Sequence, residues 1–283
     1  MELNLAQVAQ MCGGKLSNNS NHDLMLTSCV IDSRLVINKS LFVAIKGENI
    51  DAHDFVAELL SNNDKNGSAI ACMISSPKLM YLPNCILVED TTKALGLLAQ
   101  NYRKMLNLQV VAITGSNGKT SVKEMLKCVC ECTYGQDYVI ATEGNLNNHW
   151  GLPLTILRIK QKHKVAILEM GMNHLGELHY LSNLAKPTIA VVNNVFWAHV
   201  GFFTGLAQVA QAKGEIYDGV IEDGIACVNM ADQFAEYWIE KIKGLQQKLQ
   251  IYLKNLQKLN QKIPEYFQAL DDYFVLYWEF PIL

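Results

Sequence analysis

Apolar residues along the chain fall into two patterns, short unbroken runs and longer stretches spaced as on one face of a helix. Ser40-Leu-Phe-Val-Ala-Ile45, Ala69-Ile-Ala-Cys-Met-Ile74 and Ile86-Leu-Val88 have the length of strands, while residues 54–60 and 92–106 repeat at the helical period. They predict a small α/β unit over residues 1–103. Val110-Val-Ala-Ile113 is apolar at every position, as suits a strand covered on both faces of a parallel sheet. Similar runs recur at Val165-Ala-Ile-Leu168, Ile189-Ala-Val-Val192 and Ile225-Ala-Cys-Val228, with helix-length segments between them. That rhythm predicts repeated βαβ crossovers and a doubly wound parallel sheet over residues 104–238. Such sheets bind ligands at the carboxyl ends of their strands, which directs attention to the loops after Ile113, Leu168 and Val192.

Beyond Ile239 the pattern changes. Only one glycine remains, Gly244, and Ile242, Leu245, Leu249, Leu253, Leu256 and Leu259 stand at helical spacing before an aromatic cluster of Tyr273, Phe274, Tyr277, Trp278 and Phe280. Residues 239–283 are expected to form an amphipathic helix with an apolar end, outside the βαβ rhythm, which leaves the sheet incomplete at its C-terminal end.

The 283 residues are about twice the ~150 of an average domain, enough for two cores. With 24 Lys and Arg against 27 Asp and Glu the net charge is −3, and no basic block is present, so nucleic acid is not an expected partner. No apolar run reaches the ~18 residues of a membrane span, and Met1-Glu-Leu-Asn opens no basic, then apolar, leader. A cytoplasmic monomer is expected. Of the eight cysteines, Cys12, Cys29, Cys72, Cys85 and Cys227 stand alone, and Cys128, Cys130 and Cys132 alternate without a CxxC spacing, so buried thiols are expected.

The strongest chemical signal is Ile113-Thr-Gly-Ser-Asn-Gly-Lys-Thr-Ser121, between an apolar strand and an amphipathic segment. Glycines at 115 and 118 allow the backbone to curl so that successive N–H groups face phosphate oxygens, and the helix that follows adds its positive end. Thr114, Gly115, Ser116, Asn117, Gly118, Lys119, Thr120 and Ser121 are thus a candidate nucleotide cradle, with Lys119 on the β- and γ-phosphates and Thr120 on Mg²⁺. The usual GxxxxGK[ST] spacing is shortened, since Ile113 stands where its first glycine would be. In the second loop Glu169 ends a buried strand, and two readings stay open: a Mg²⁺ ligand facing the phosphates, or a capping or salt-bridged carboxylate. In the third loop His199, and beyond it Lys213, are either ligands or ordinary satisfied side chains. Thr142-Glu-Gly-Asn-Leu-Asn-Asn-His-Trp-Gly-Leu-Pro153 is turn-rich, and its Asn145, Asn147 and Asn148 offer amides to a polar ligand.

Together with Ile31-Asp-Ser-Arg34, Leu41-Phe-Val-Ala-Ile-Lys-Gly-Glu48, Asp51-Ala-His-Asp-Phe55 and Ala212-Lys-Gly-Glu215, these motifs resemble the Mur ligases over residues 1–238. Within the family the likeness is to the branch that joins D-Ala-D-Ala to UDP-MurNAc-tripeptide. The resemblance implies a small N-terminal α/β substrate domain followed by a P-loop ATPase domain, and an ATP-dependent amide ligase of peptidoglycan synthesis working through an acyl phosphate. It implies that Thr120, Glu169, His199 and Lys213 hold Mg²⁺, with Lys213 carbamylated and Lys119, Lys213 and His199 serving catalysis. It also implies that Ile31, Asp32, Ser33, Arg34 and Asn49 hold the UDP end, and that Asn145, Asn147 and Asn148 meet the substrate.

Two departures accompany the likeness. Val200-Gly-Phe-Phe-Thr-Gly205 stands where the family carries an acidic, glycine-rich run, and the motifs of the family's third domain are absent. The expectation is a truncated or frameshifted chain whose ligation is impaired. The competing readings are a non-catalytic remnant that still binds ATP or a UDP-sugar, and a related ligase acting on folates.

Overall fold

The computed structural model describes residues 1–66, 70–196, 203–245 and 250–252. The first unit runs through β1 (Leu3–Asn4), α1 (Leu5–Cys12), β2 (Lys15–Leu16), β3 (Met25–Leu26), β4 (Ser28–Val30), β5 (Ser40–Val43), α2 (Val56–Asn66), β6 (Ala71–Ile74), β7 (Cys85–Leu87) and α3 (Thr91–Lys104). Its sheet has the order β2-β7-β6-β5-β4, parallel except for β2 on the edge, and β1 pairs with β3 in a separate antiparallel ribbon. Two of its helices start where short polar side chains satisfy free N–H groups. Asn4 and Gln7 close a capping box on α1, and Asp90 accepts from Thr92 and Lys93 at the head of α3.

The second unit continues with β8 (Gln109–Thr114), α4 (Lys119–Tyr134), β9 (Val139–Ala141), α5 (Gly151–Leu157), β10 (Val165–Glu169), α6 (Glu177–Ala185), β11 (Ile189–Val192), α7 (Leu206–Gly214), β12 (Ile225–Val228), α8 (Ala235–Gly244) and β13 (Gln250–Tyr252). Six parallel strands lie in the order β9-β10-β8-β11-β12-β13. Register levels the strand ends that matter, for Glu169 pairs with Ile113 and Val192 with Thr114. The loops after β8, β10 and β11 therefore emerge side by side.

Both α/β units and the apolar strands expected from the run pattern are present. The C-terminal expectation is corrected. The boundary drawn near Ile239 falls inside α8, whose Trp238 and Ile242 are buried, and β13 follows as a parallel partner of β12. α8 ends at Gly244, the chain is extended at Gln250–Tyr252, and the expected helical positions Leu249, Leu253, Leu256 and Leu259 lie outside the described residues. The crossover rhythm thus persists for one more unit, and the aromatic cluster from Tyr273 lies outside the described residues. The thiol expectation holds for Cys12, Cys29, Cys72 and Cys85, which are buried, whereas Cys128 and Cys132 are exposed on α4. Among the described residues no helix is long and apolar enough to cross a membrane.

Candidate functional site

Thr114 closes β8, and the chain turns through Gly115, Ser116, Asn117 and Gly118 before α4 begins at Lys119. Gly118 sits at φ +73°, where a side chain is strained, and a Cβ on Gly115 would lie 2.9 Å from that of Asn193. The turn is strapped to the start of the third loop. Ser116 N–H donates to Asn194 O (3.0 Å), Asn117 N–H donates to Asn194 Oδ1 (3.0 Å), and Asn193 Nδ2 donates to Asn117 O (2.9 Å). Ser116 Oγ donates to Phe196 O (3.0 Å) and accepts from Phe196 N–H (2.9 Å). Sequence reading did not single out Asn193 and Asn194 as partners of the cradle.

Inside the turn, Lys119 Nζ donates to Gly115 O at 2.8 Å, and burial lowers the pKa of its ammonium while the charge of Glu169 opposes that shift. Glu169 is only 3% exposed at the end of β10. Its Oε2 accepts from Thr120 Oγ1 and its Oε1 from Asn147 Nδ2, both at 2.9 Å, and its backbone N–H donates to Thr142 Oγ1 at 2.9 Å. The salt-bridge alternative for Glu169 gives way to hydrogen bonds from neutral donors, with Lys119 close enough to feel its charge. Gly171 packs on Asn147, whose carbonyl accepts its N–H at 2.8 Å.

Lys213, at the end of α7, is 2% exposed. Burial pulls its ammonium down to about 7, and the positive charge of Lys119 adds to the effect. The structure therefore brings Thr120, Glu169 and Asn147 into contact and sets Lys213 within electrostatic reach of Lys119. His199 lies outside the described residues. Among those described, no three acidic, histidine or cysteine side chains converge as a metal cluster.

The other expected substrate residues divide. Asn148 turns its Oδ1 to the N–H groups of Trp150 (3.1 Å) and Gly151 (2.9 Å), so it starts α5, while Asn145 is exposed. Ile31, Asp32, Ser33 and Arg34 follow β4, and Asn49 projects in an exposed turn closed by a bridge between Lys46 and Asp51 after β5. Those strands are neighbours, so both turns share one edge of the first sheet. Asp32 grips Arg34 through Nε (2.9 Å) and a second guanidinium nitrogen (2.6 Å), and these bonds hold its carboxyl down at about 2. Nearby Leu35, Ile37 and Ile50 are exposed.

Residues 113–272 match the profile of the Mur ligase middle domain, more than half of the chain. The chain belongs to the Mur ligase family. This match extends past residue 238, in keeping with β13. Among curated Mur ligases, the UDP-N-acetylmuramoyl-tripeptide--D-alanyl-D-alanine ligase of Escherichia coli is 41% identical over 229 residues, covering 81% of this chain and 48% of its own. The enzyme of the same name from Haemophilus influenzae is 37% identical over 245 residues, covering 86% and 52%. A crystal structure of MurF from Acinetobacter baumannii superposes with a TM-score of 0.79 at 32% identity, covering 89% of this chain and 52% of that one. MurF ligase from Thermotoga maritima in complex with ADP superposes with a TM-score of 0.64 at 30% identity, covering 79% and 49%. The chain spans about half the length of these Mur ligases.

Proposed function

We propose that this Mur ligase chain binds ATP with Mg²⁺ and belongs to an amide ligase that joins D-Ala-D-Ala to UDP-MurNAc-tripeptide. The observation that carries the reading is the contact of Thr120 with Glu169 at the mouth of the glycine turn. Two hard oxygen donors on adjacent elements, beside the N-terminus of α4 and a lysine, form a donor set suited to a magnesium-bound polyphosphate. Thr114 supports the fit, because its Oγ1 is buried without a hydrogen-bond partner among the described residues.

In this reading residues 114–121 hold the polyphosphate. Lys119 leaves the Gly115 carbonyl for the phosphate oxygens, and Thr120 and Glu169 hold the cation with His199 and a carbamylated Lys213. When bound, Mg²⁺ neutralises charge on the phosphoryl group as it transfers. The tripeptide carboxylate displaces ADP from the γ-phosphorus to give an acyl phosphate. The D-Ala-D-Ala amine then attacks the acyl carbon, phosphate leaves, and the amine loses a proton. Lys119 and the turn amides stabilise the negative charge that moves through both steps. Asn147 orients Glu169, the turns at Ile31–Arg34 and Asn49 hold the UDP end against the apolar rim of Leu35, Ile37 and Ile50, and residues 145–148 face the sugar and peptide. The reading carries with it a cytoplasmic, monomeric protein and a division into a substrate unit over 1–103 and a nucleotide unit from 104 onward.

Calorimetry with Mg·ADP, followed by an assay for ADP release with UDP-MurNAc-tripeptide and D-Ala-D-Ala, tests the proposal. Binding is expected, and Thr120→Ala or Glu169→Gln should weaken it at least tenfold in the presence of Mg²⁺. A folded chain without affinity for Mg·ADP sinks the reading. Affinity without turnover would favour the non-catalytic alternative.

A further inference from the structure

Among the described residues, Lys123 is the most deeply buried charged side chain outside the described site. It is 2% exposed, and its ammonium donates to Thr142 O at 2.8 Å and pairs with Glu124 Oε1 at 2.9 Å. Burying an ammonium is costly unless every proton finds an acceptor, so its presence here needs a reason beyond filling space. Thr120 and Lys123 are three residues apart and share a face of α4. Thr120 reaches the end of β10 through Glu169, and Lys123 reaches the residue after β9.

Thr142 is the hinge of this arrangement. Its hydroxyl accepts the N–H of Glu169, its own N–H donates to Ile167 O at 3.0 Å, and its carbonyl takes Lys123. Residues 143–148 leave from Thr142 and return to Glu169 through Asn147. A closed circuit results, Thr120 to Glu169 to Thr142 to Lys123, with the asparagine loop hanging from it. A cation accepted between Thr120 and Glu169 must turn the Thr120 proton away from the carboxylate, so the direct hydrogen bond there gives way to two metal–oxygen contacts that demand a fixed spacing of α4 and the end of β10. The tie of Lys123 to Thr142 is untouched by that event.

We infer that Lys123 is a positioning residue that keeps the phosphate helix in register with Glu169 and with the substrate-facing loop 143–148 when the metal-bound nucleotide is in place. The inference rests on the nucleotide reading above. Its signature is selective. With ADP alone the Thr120–Glu169 hydrogen bond ties helix to strand without help, whereas with Mg²⁺ that bond is given up and the spacing of the two oxygens about the cation depends on the Lys123 tie.

Titration calorimetry of ADP, with and without Mg²⁺, on the full chain and on Lys123→Met tests it, with melting curves to establish folding. The affinity for ADP alone should stay within about twofold, while the tightening caused by Mg²⁺ should be about tenfold smaller in the variant. Equal tightening in both proteins overturns the assignment. If Lys123→Met does not fold, hydrogen exchange on the unaltered chain decides: the amides of Thr142 and Glu169, which the Lys123 tie holds in place, should stay protected when Mg²⁺ is added to the ADP complex, and loss of that protection overturns the assignment. A folded, unaltered chain whose ADP affinity ignores Mg²⁺ overturns the metal reading itself, and this assignment with it.

Discussion

Cys29 on β4 is buried, and its thiol is pushed up to about 12, as is that of Cys85, while Cys12 rises to about 11. Desolvation dominates in each case, since a thiolate there would lose its water. Near pH 9 the unfolded chain releases protons that these folded thiols retain, so stability must fall as pH rises from about 9 towards the folded values. Lys213 works in the opposite sense, because between about 7 and its ordinary value of 10.5 the unfolded chain holds a proton that the folded one has lost. With Lys213 as the free amine and no metal bound, the melting temperature should therefore climb from pH 7 to about 9 and then drop, and Lys213→Met should flatten the climb. At pH 8 a thiol reagent should label Cys128 and Cys132 in the native protein and reach Cys12, Cys29, Cys72 and Cys85 only after denaturation; early labelling of those four would contradict the packing. The sequence revealed that the cysteines were not a disulfide framework, but it could not separate the exposed pair, because helical phase fixes their exposure and all three lie within five residues. The cradle itself was legible for the opposite reason. Its chemistry is local to nine residues, whereas its fastening to Asn193 and Asn194 depends on a contact across 76 and more residues.

At the scale of elements, α6 begins at Glu177 behind Gly176, which is in the left-handed region at φ +88° and offers no side-chain cap. Its free N–H groups are met from another element. Glu215, directly after α7, accepts from Gly176 N–H at 2.9 Å and from His179 N–H at 3.3 Å. A carboxylate here satisfies donors and faces the positive end of the helix. The same Glu215 lies two residues from Lys213, so the Ala-Lys-Gly-Glu motif couples the buried lysine to the segment that carries Glu169 into α6. Glu215→Gln retains a weaker acceptor and should cost about 0.5–2 kcal/mol in chemical denaturation. Exchange at Gly176 and His179 should quicken, and an unchanged pattern would remove the coupling. The sequence placed this motif by likeness alone, since a cap supplied by a distant element leaves no local mark. Strands followed the same rule. The apolar runs at β5 to β8 and β10 to β12 announced themselves, but β1 to β3 have two residues each, too few for a period to show, and the three-residue strands β4 and β9 were not singled out.

Over the whole molecule the two units share one apolar core. Leu5, Leu41, Leu95 and Leu98 from the first belong to the same buried cluster as Val110, Ile156, Leu168 and Leu181 from the second. α3 is the shared wall, packed on α1 of its own unit and on α5 and α6 of the other. Gly96 permits the approach, for a Cβ there would meet the Tyr180 hydroxyl of α6. Arg103 fastens the end of that wall: its guanidinium, buried, donates to Ala185 O (2.8 Å), Lys186 O (3.2 Å) and Leu106 O (2.9 Å), the first two at the C-terminus of α6. A guanidinium among helix-end carbonyls is favoured by their dipole and leaves those acceptors orphaned when removed. The run pattern draws a boundary at residue 103, inside the last turn of α3, and that helix packs on elements from both sides of it. Two consequences can be measured together. Calorimetric unfolding should be a single transition, coincident by near-UV and far-UV dichroism, because neither unit can leave without exposing the common core. Arg103→Met, which keeps the aliphatic stem but no donors, should lower stability by about 2–4 kcal/mol and split the transition in two as the seam loosens. Two separate transitions in the unaltered chain would show instead that α3 belongs to one unit only.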